Sequence, residues 1–104
     1  YKKALNDYEE ALEINKKLAQ NTPKYIPVLA ANFINLGAYY QTYELNRDKS
    51  IEYILESLLL VTPLIEKVSY TQKYYLRALQ ILYNWGLNDE QIQNLINKHL
   101  PENN

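Results

Sequence analysis

Apolar positions in this chain recur at steps of three and four with polar residues between them, a spacing that predicts amphipathic helices rather than strands. Over residues 2–20 the stripe is Leu5, Tyr8, Ala11, Leu12, Leu18 and Ala19, and Asn21-Thr22-Pro23 ends it. Glu13 stands four positions before Lys17, the favourable orientation for a helix pair. A second helix opens near Pro27, whose fixed φ suits a first turn, and its stripe is Leu29, Phe33, Leu36, Gly37 and Tyr40. Glycine in mid-helix costs about 1 kcal/mol relative to alanine, so Gly37 implies that a neighbouring helix approaches closely. Residues 45–48 form the next turn, with Asp48 expected as the N-cap.

The third helix covers residues 49–61 and carries Ile51, Ile54, Leu55 and Leu58 before Thr62-Pro63 interrupts it. Whether residues 64–68 extend it or begin another helix is open at this level. Ser69-Tyr70-Thr71-Gln72 fits a capping box. The helix it starts runs to about Trp85, with Tyr75, Ala78, Leu79 and Leu82 inward and Gly86 as its stop. Asn88-Asp89-Glu90-Gln91 repeats the capping pattern with acids in the first turn. The last helix carries Ile92, Leu95 and Ile96 and fades before Pro101. Each helix is too short to stand alone in water, so packing between helices must hold them.

Composition narrows the function classes. The chain has 104 residues, enough for one domain with a real core. Its 11 basic and 12 acidic side chains are scattered, with no basic block that would follow a phosphate backbone, so no nucleic-acid partner is expected. The apolar run Leu58-Leu59-Leu60-Val61 is far short of the roughly 20 residues that span a bilayer, so no membrane insertion is expected. No secretory pattern opens the sequence, and the expected compartment is the cytoplasm. The absence of cysteine excludes a disulfide framework and cysteine-based zinc sites. With no methionine and Tyr1 at the start, the chain is expected to be part of a longer product.

Catalytic constellations are missing. The single histidine, His99, lies in the last turn of the last helix, where a positive charge suits the helix dipole. No nucleophile–base pair, Gly-rich phosphate loop or metal-ligand cluster can be assembled, and Glu9-Glu10 and Glu52/Glu56 read as solvated helix faces. The chain is therefore expected to be neither an enzyme nor a holder of a cofactor.

A repeat organises the helices. Phe33-x-x-Leu36-Gly37-x-x-Tyr40 recurs in kind as Tyr75-x-x-Ala78-Leu79-x-x-Leu82, a step of 42, and each copy is followed by a turn and a second amphipathic helix. The first of these resembles the first-helix signature of tetratricopeptide repeats, and Ala4, Tyr8 and Ala11-Leu12 resemble the second-helix signature. Residues 8–23 resemble the extended variant of kinesin light chains and many bacterial proteins. Ser50 and Ser57 stand where that family prefers alanine, and Leu79 where it uses glycine or alanine. The resemblance implies an all-α, right-handed α-α superhelix of stacked helix-turn-helix repeats: a half repeat at 1–22, a repeat at 24–62 and a degenerate repeat or cap at 69–100. One pair cannot bury its own stripe, so pairs stack and share a core.

The same resemblance implies a protein- or peptide-binding scaffold, because first helices of successive pairs line a concave face. In the second helix the expected groove residues are Ile34, Asn35, Ala38 and Gln41, with Ala31 and Thr42 beside them. In the fourth they are Lys73, Leu76, Arg77, Gln80, Tyr83 and Asn84. Asn35 precedes Leu36-Gly37, where family members place a peptide-clamping amide, and Lys73 and Arg77 occupy places where they can bind a terminal carboxylate. Tyr8, Tyr40 and Tyr75 are expected in the core, and Tyr39, Tyr43 and Tyr83 beside the groove. Because nothing caps the N-terminal side, the first helix is expected to be partly uncovered and open to homo-oligomerisation. A spacer or self-association role within a larger regulatory or sensor protein is the alternative.

Overall fold

The computed structural model describes residues 2–99, and among these the chain is all-helical. The elements are α1 (Lys2–Asn21), α2 (Ile26–Thr42), α3 (Arg47–Val61), α4 (Thr71–Asn84) and α5 (Asp89–His99). Short 3-10 turns at Pro23–Tyr25 and Thr62–Leu64 follow α1 and α3. The segment after Pro63 turns, with Lys67 and Val68 amides both donating to the Leu64 carbonyl, rather than extending α3. The expected helix end before Pro101 lies outside the described residues.

Packing centres on α2. Its two neighbours in sequence and α4 all lie against it. A helix with partners on three sides buries most of its circumference rather than one stripe. That explains why Ala30, Ile34 and Leu36 are all fully buried. Leu12, Leu29, Phe33, Leu36, Tyr39 and Tyr40 form one cluster, joining α1 to α2 with Tyr53 and Leu60 of α3 against it. Ile34 instead joins Ile54, Leu58, Ala78, Ile81 and Leu82 in a second cluster, which α5 completes with Ile92 and Ile96. Leu18, expected on the buried stripe of α1, is 40% exposed, because α2 covers only the face that carries Leu12.

Residue pairings give the directions. Gly37 meets Ser50 and Ile54, Tyr40 meets Lys49, and Phe33 meets Tyr53, so one index rises as the other falls and α2 and α3 are antiparallel. Asn35 meets Arg77 and Gln41 meets Asn84, so both indices rise together and α4 lies parallel to α2. Those steps of 42 and 43 match the repeat period of the sequence.

Gly37 sits where α2 and α3 touch. An added Cβ would lie 2.4 Å from Ile54 Cδ1 and 2.6 Å from Cγ1, which is why the helix tolerates glycine here. Beside it, the Ser50 hydroxyl donates to the Gly37 carbonyl at 2.7 Å and accepts from Trp85 Nε1 at 2.8 Å. One buried hydroxyl thus ties α2, α3 and the end of α4 together. Ser57 is also fully buried and satisfies itself on the Ile54 carbonyl at 2.6 Å.

Helix ends follow local chemistry. The Asn88/Gln91 box forms as expected, each side chain accepting from the other's amide at 2.9 and 2.8 Å. Gly86 at φ +92° stops α4, while its amide and that of Leu87 donate to the Tyr83 and Leu82 carbonyls. Two caps differ from expectation. Asn46, not Asp48, caps α3 by accepting from the Lys49 amide, which leaves Asp48 in the first turn. At α4 the Ser69–Gln72 side-chain box does not form; buried Thr71 donates to the Val68 carbonyl at 2.6 Å and the helix starts there.

After α2, Leu45 holds the left-handed position, φ +48°, while the Asn46 amide donates to the Tyr40 carbonyl. This is a helix stop that ordinarily uses glycine, and Leu45 is 75% exposed, so its side chain contributes little packing. Replacing Leu45 with glycine removes a backbone strain of about 1–2 kcal/mol against a smaller loss of unfolded-chain restriction. The expected result is a net gain of roughly 0.5–1 kcal/mol, read as a higher urea midpoint with an unchanged slope.

Candidate functional site

The residues expected to line a groove fall into three groups. Asn35, Gln41, Arg77, Gln80 and Asn84 come together along the seam between α2 and α4. Arg77 Nη1 donates to Asn35 Oδ1 at 3.4 Å, and Asn84 Nδ2 donates to Gln41 Oε1 at 3.4 Å. Gln80 Nε2 donates to Asn84 Oδ1 at 3.0 Å, and Gln41 Nε2 reaches the Ile81 carbonyl at 2.9 Å. Parallel helices at matching register put like positions opposite each other, and amides that both donate and accept close the seam.

Lys73, Leu76 and Tyr83 form a second group, on the solvent side of α4. Leu76 is 63% exposed and Tyr83 40%. Lys73 lies over its neighbour's ring, 5.3 Å from the Tyr74 centroid. The Tyr83 hydroxyl is bonded to the Asp89 carboxylate in the first turn of α5. That bond raises the phenol above its ordinary pKa. An exposed aliphatic, an aromatic and a cation at helical spacing, with Arg77 of the seam beside them, make a face that offers apolar contact beside charge.

Ile34 and Ala38 correct the expectation. Ile34 is fully buried against Ile54, Leu58 and Ile81, so it belongs to the core and not to the groove. Ala38 is half-buried and packs on the same cluster. The cause is the close approach of α4, which covers the flank of α2 that an isolated helix pair would leave open. Tyr39 likewise enters the α1–α2 core, only 2% exposed, with its hydroxyl 3.2 Å from Glu44 Oε1. Tyr43 stays 54% exposed.

Further concavities lie outside this face, two of them between helices. A groove of about 690 Å³ runs between α3 and α5, and a smaller one of about 360 Å³ opens between α1 and α3 over Phe33 and Tyr53. In the smaller one Lys16 Nζ stands 5.8 Å from the Phe33 ring centroid. Lys49 Nζ stands 5.0 Å from that of Tyr40, and its bond to the Tyr40 hydroxyl is the main cause that raises its pKa. Sequence inspection missed the α3–α5 groove. Its signal was present in Ile51, Leu55 and Leu95, apolar positions at the edge of two stripes.

Among the described residues no group of three or more His, Cys, Asp or Glu side chains is placed to hold a metal ion. None of their helices is long and apolar enough to cross a membrane. Fold and face together define an all-helical protein with a polar seam between two parallel helices. Comparison with protein-family models, with curated proteins and with solved structures finds no match.

Proposed function

We propose that the chain is a peptide- or protein-binding module of tetratricopeptide type, which holds a partner segment across the α2–α4 face. The observation that carries this reading is the parallel, in-register pairing of Asn35 with Arg77 and Gln41 with Asn84. Equivalent faces of two repeats then point the same way, as a shared binding surface needs. Exposed Leu76 and Tyr83 supply apolar anchors, while Lys73 and Arg77 supply charge at their side. The Asn35, Gln80 and Asn84 amides exchange their bonds within the seam for bonds to a peptide backbone at little net cost, since both states are paired.

Panning a random-peptide display library on the chain, then titrating the selected peptides, tests the assignment. Leu76→Glu and Arg77→Ala variants are expected to lose about tenfold or more in affinity, some 1.4 kcal/mol. Glu56→Gln, on the far side of α3, is expected to bind as the parent does. Selected peptides that bind all variants equally well would place the binding surface elsewhere.

A further inference from the structure

The chain is close to neutral, at −1, but its helices divide the charge unevenly. α2 holds no Asp, Glu, Lys or Arg, and the only such residues of α4 are Lys73 and Arg77, both exposed. The acids of the described helices lie on α1, α3 and α5. Those of α3 line the clefts away from the seam: Asp48 and Glu52 toward α5, Glu52 and Glu56 toward α1. Asp89 approaches the face only beyond the end of α4, where the Tyr83 hydroxyl is bonded to it. The α4 dipole runs the same way, positive at the Lys73 end. The α2–α4 face is thus a cationic stretch without a carboxylate of its own over the first half of α4.

We propose that this face takes an extended, internal segment of a partner protein whose side-chain carboxylates, two residues apart, meet Lys73 and Arg77 beside an aliphatic side chain on Leu76. The proposal names the partner's chemistry and rests on the α2–α4 face being the binding surface. Among the described residues neither Lys73 nor Arg77 is in an ion pair, so both cations stand available to an incoming acid. Arg77 gives one N–H to Asn35 Oδ1, and its remaining donors suit a bidentate carboxylate. Asn35 acts here as a positioning residue, holding the guanidinium over the seam. Four residues of helix separate Lys73 from Arg77 by about 6 Å along the axis. Alternate side chains of an extended segment lie about 6.7 Å apart on one side, which matches that spacing. Leu76 is 63% exposed between the two cations and offers the apolar contact. Toward Asp89 the sign reverses, so the acidic part of the segment lies over the start of α4.

Panning a random library whose peptides are held at both ends in a display scaffold tests this, since no free carboxyl terminus is then present. The selected peptides are expected to be enriched in Asp and Glu two positions apart next to an aliphatic residue. The tightest, made with acetylated and amidated ends, is expected to bind Arg77→Gln about tenfold more weakly. Changing its own acid to the matching amide is expected to cost about tenfold as well. Both changes together should cost little more than either alone, because they remove one contact. Peptides that lose binding to Leu76→Ser yet show no enrichment in acids would overturn the proposal and leave the α2–α4 surface standing. So would acid and Arg77 changes whose costs multiply in full. Peptides indifferent to Leu76→Ser and Arg77→Gln, or a library that yields no binder, would overturn the surface assignment and the proposal together.

Discussion

Gly37→Ala is expected to destabilise the chain by about 1–3 kcal/mol, although alanine is the better helix former by about 1 kcal/mol. The new Cβ would fall 2.4 and 2.6 Å from the Cδ1 and Cγ1 atoms of Ile54, well inside contact distance. Ile54 cannot swing away cheaply, because it is fully buried and β-branched, with one strongly preferred χ1 in a helix. Ile54→Ala alone is expected to cost about 2–5 kcal/mol through lost burial and a cavity. Combined, the two changes should cost less than their sum, since the alanine at 54 removes the atoms that the new methyl strikes. Urea denaturation of the parent, both single variants and the double variant measures that coupling. Strict additivity would mean that α2 and α3 do not meet at Gly37.

Ser50→Ala is expected to cost about 1–3 kcal/mol, a large effect for deleting one oxygen. Trp85 Nε1 loses its acceptor at 2.8 Å while still partly buried, and the Gly37 carbonyl loses its second donor. Most of the cost comes from the indole N–H, since the carbonyl still belongs to its own helix. In a Trp85→Phe background, where no N–H remains to be orphaned, the same Ser50→Ala change should cost about 1 kcal/mol or less. Equal costs in both backgrounds, measured by thermal or urea unfolding, would remove Ser50 from its bridging role. The resemblance to tetratricopeptide repeats expects alanine at this position, and the Trp85 indole supplies the reason for serine.

The helices were legible because each carries its own period and most carry their own stop. Pro27, Gly86 and the Asn88/Gln91 box act within a few residues, and the structure has α2, the end of α4 and the start of α5 where those signals put them. Asn46 and Ser69 were harder, because two cap-competent residues lie within three positions of each helix start and tertiary packing selects between them. The candidate surface was legible in part. Asn35, Gln41, Arg77, Gln80 and Asn84, expected to line a groove, lie together along the α2–α4 seam, whereas Ile34 and Tyr39 are buried. A stripe drawn for one partner helix cannot foresee burial on a helix that has three. Leu18 shows the converse: an apolar residue on the expected stripe stays exposed when only one helix covers α1. The Ser50 bridge was not foreseeable, since it joins residues 35 positions apart in the chain, and the α3–α5 groove left only the apolar edge positions Ile51, Leu55 and Leu95 as its signal.

Thiol cross-linking tests most directly whether α2 and α4 lie parallel and in register. The chain has no cysteine, so pairs can be introduced without background. With a short bifunctional thiol reagent, Asn35→Cys/Arg77→Cys and Gln41→Cys/Asn84→Cys are expected to close rapidly. The crossed pairs Asn35→Cys/Asn84→Cys and Gln41→Cys/Arg77→Cys should close slowly, because six or seven residues of helix add about 9–10 Å of axial separation. Faster closure of the crossed pairs would mean that α2 and α4 run antiparallel, and the shared α2–α4 face would then not exist.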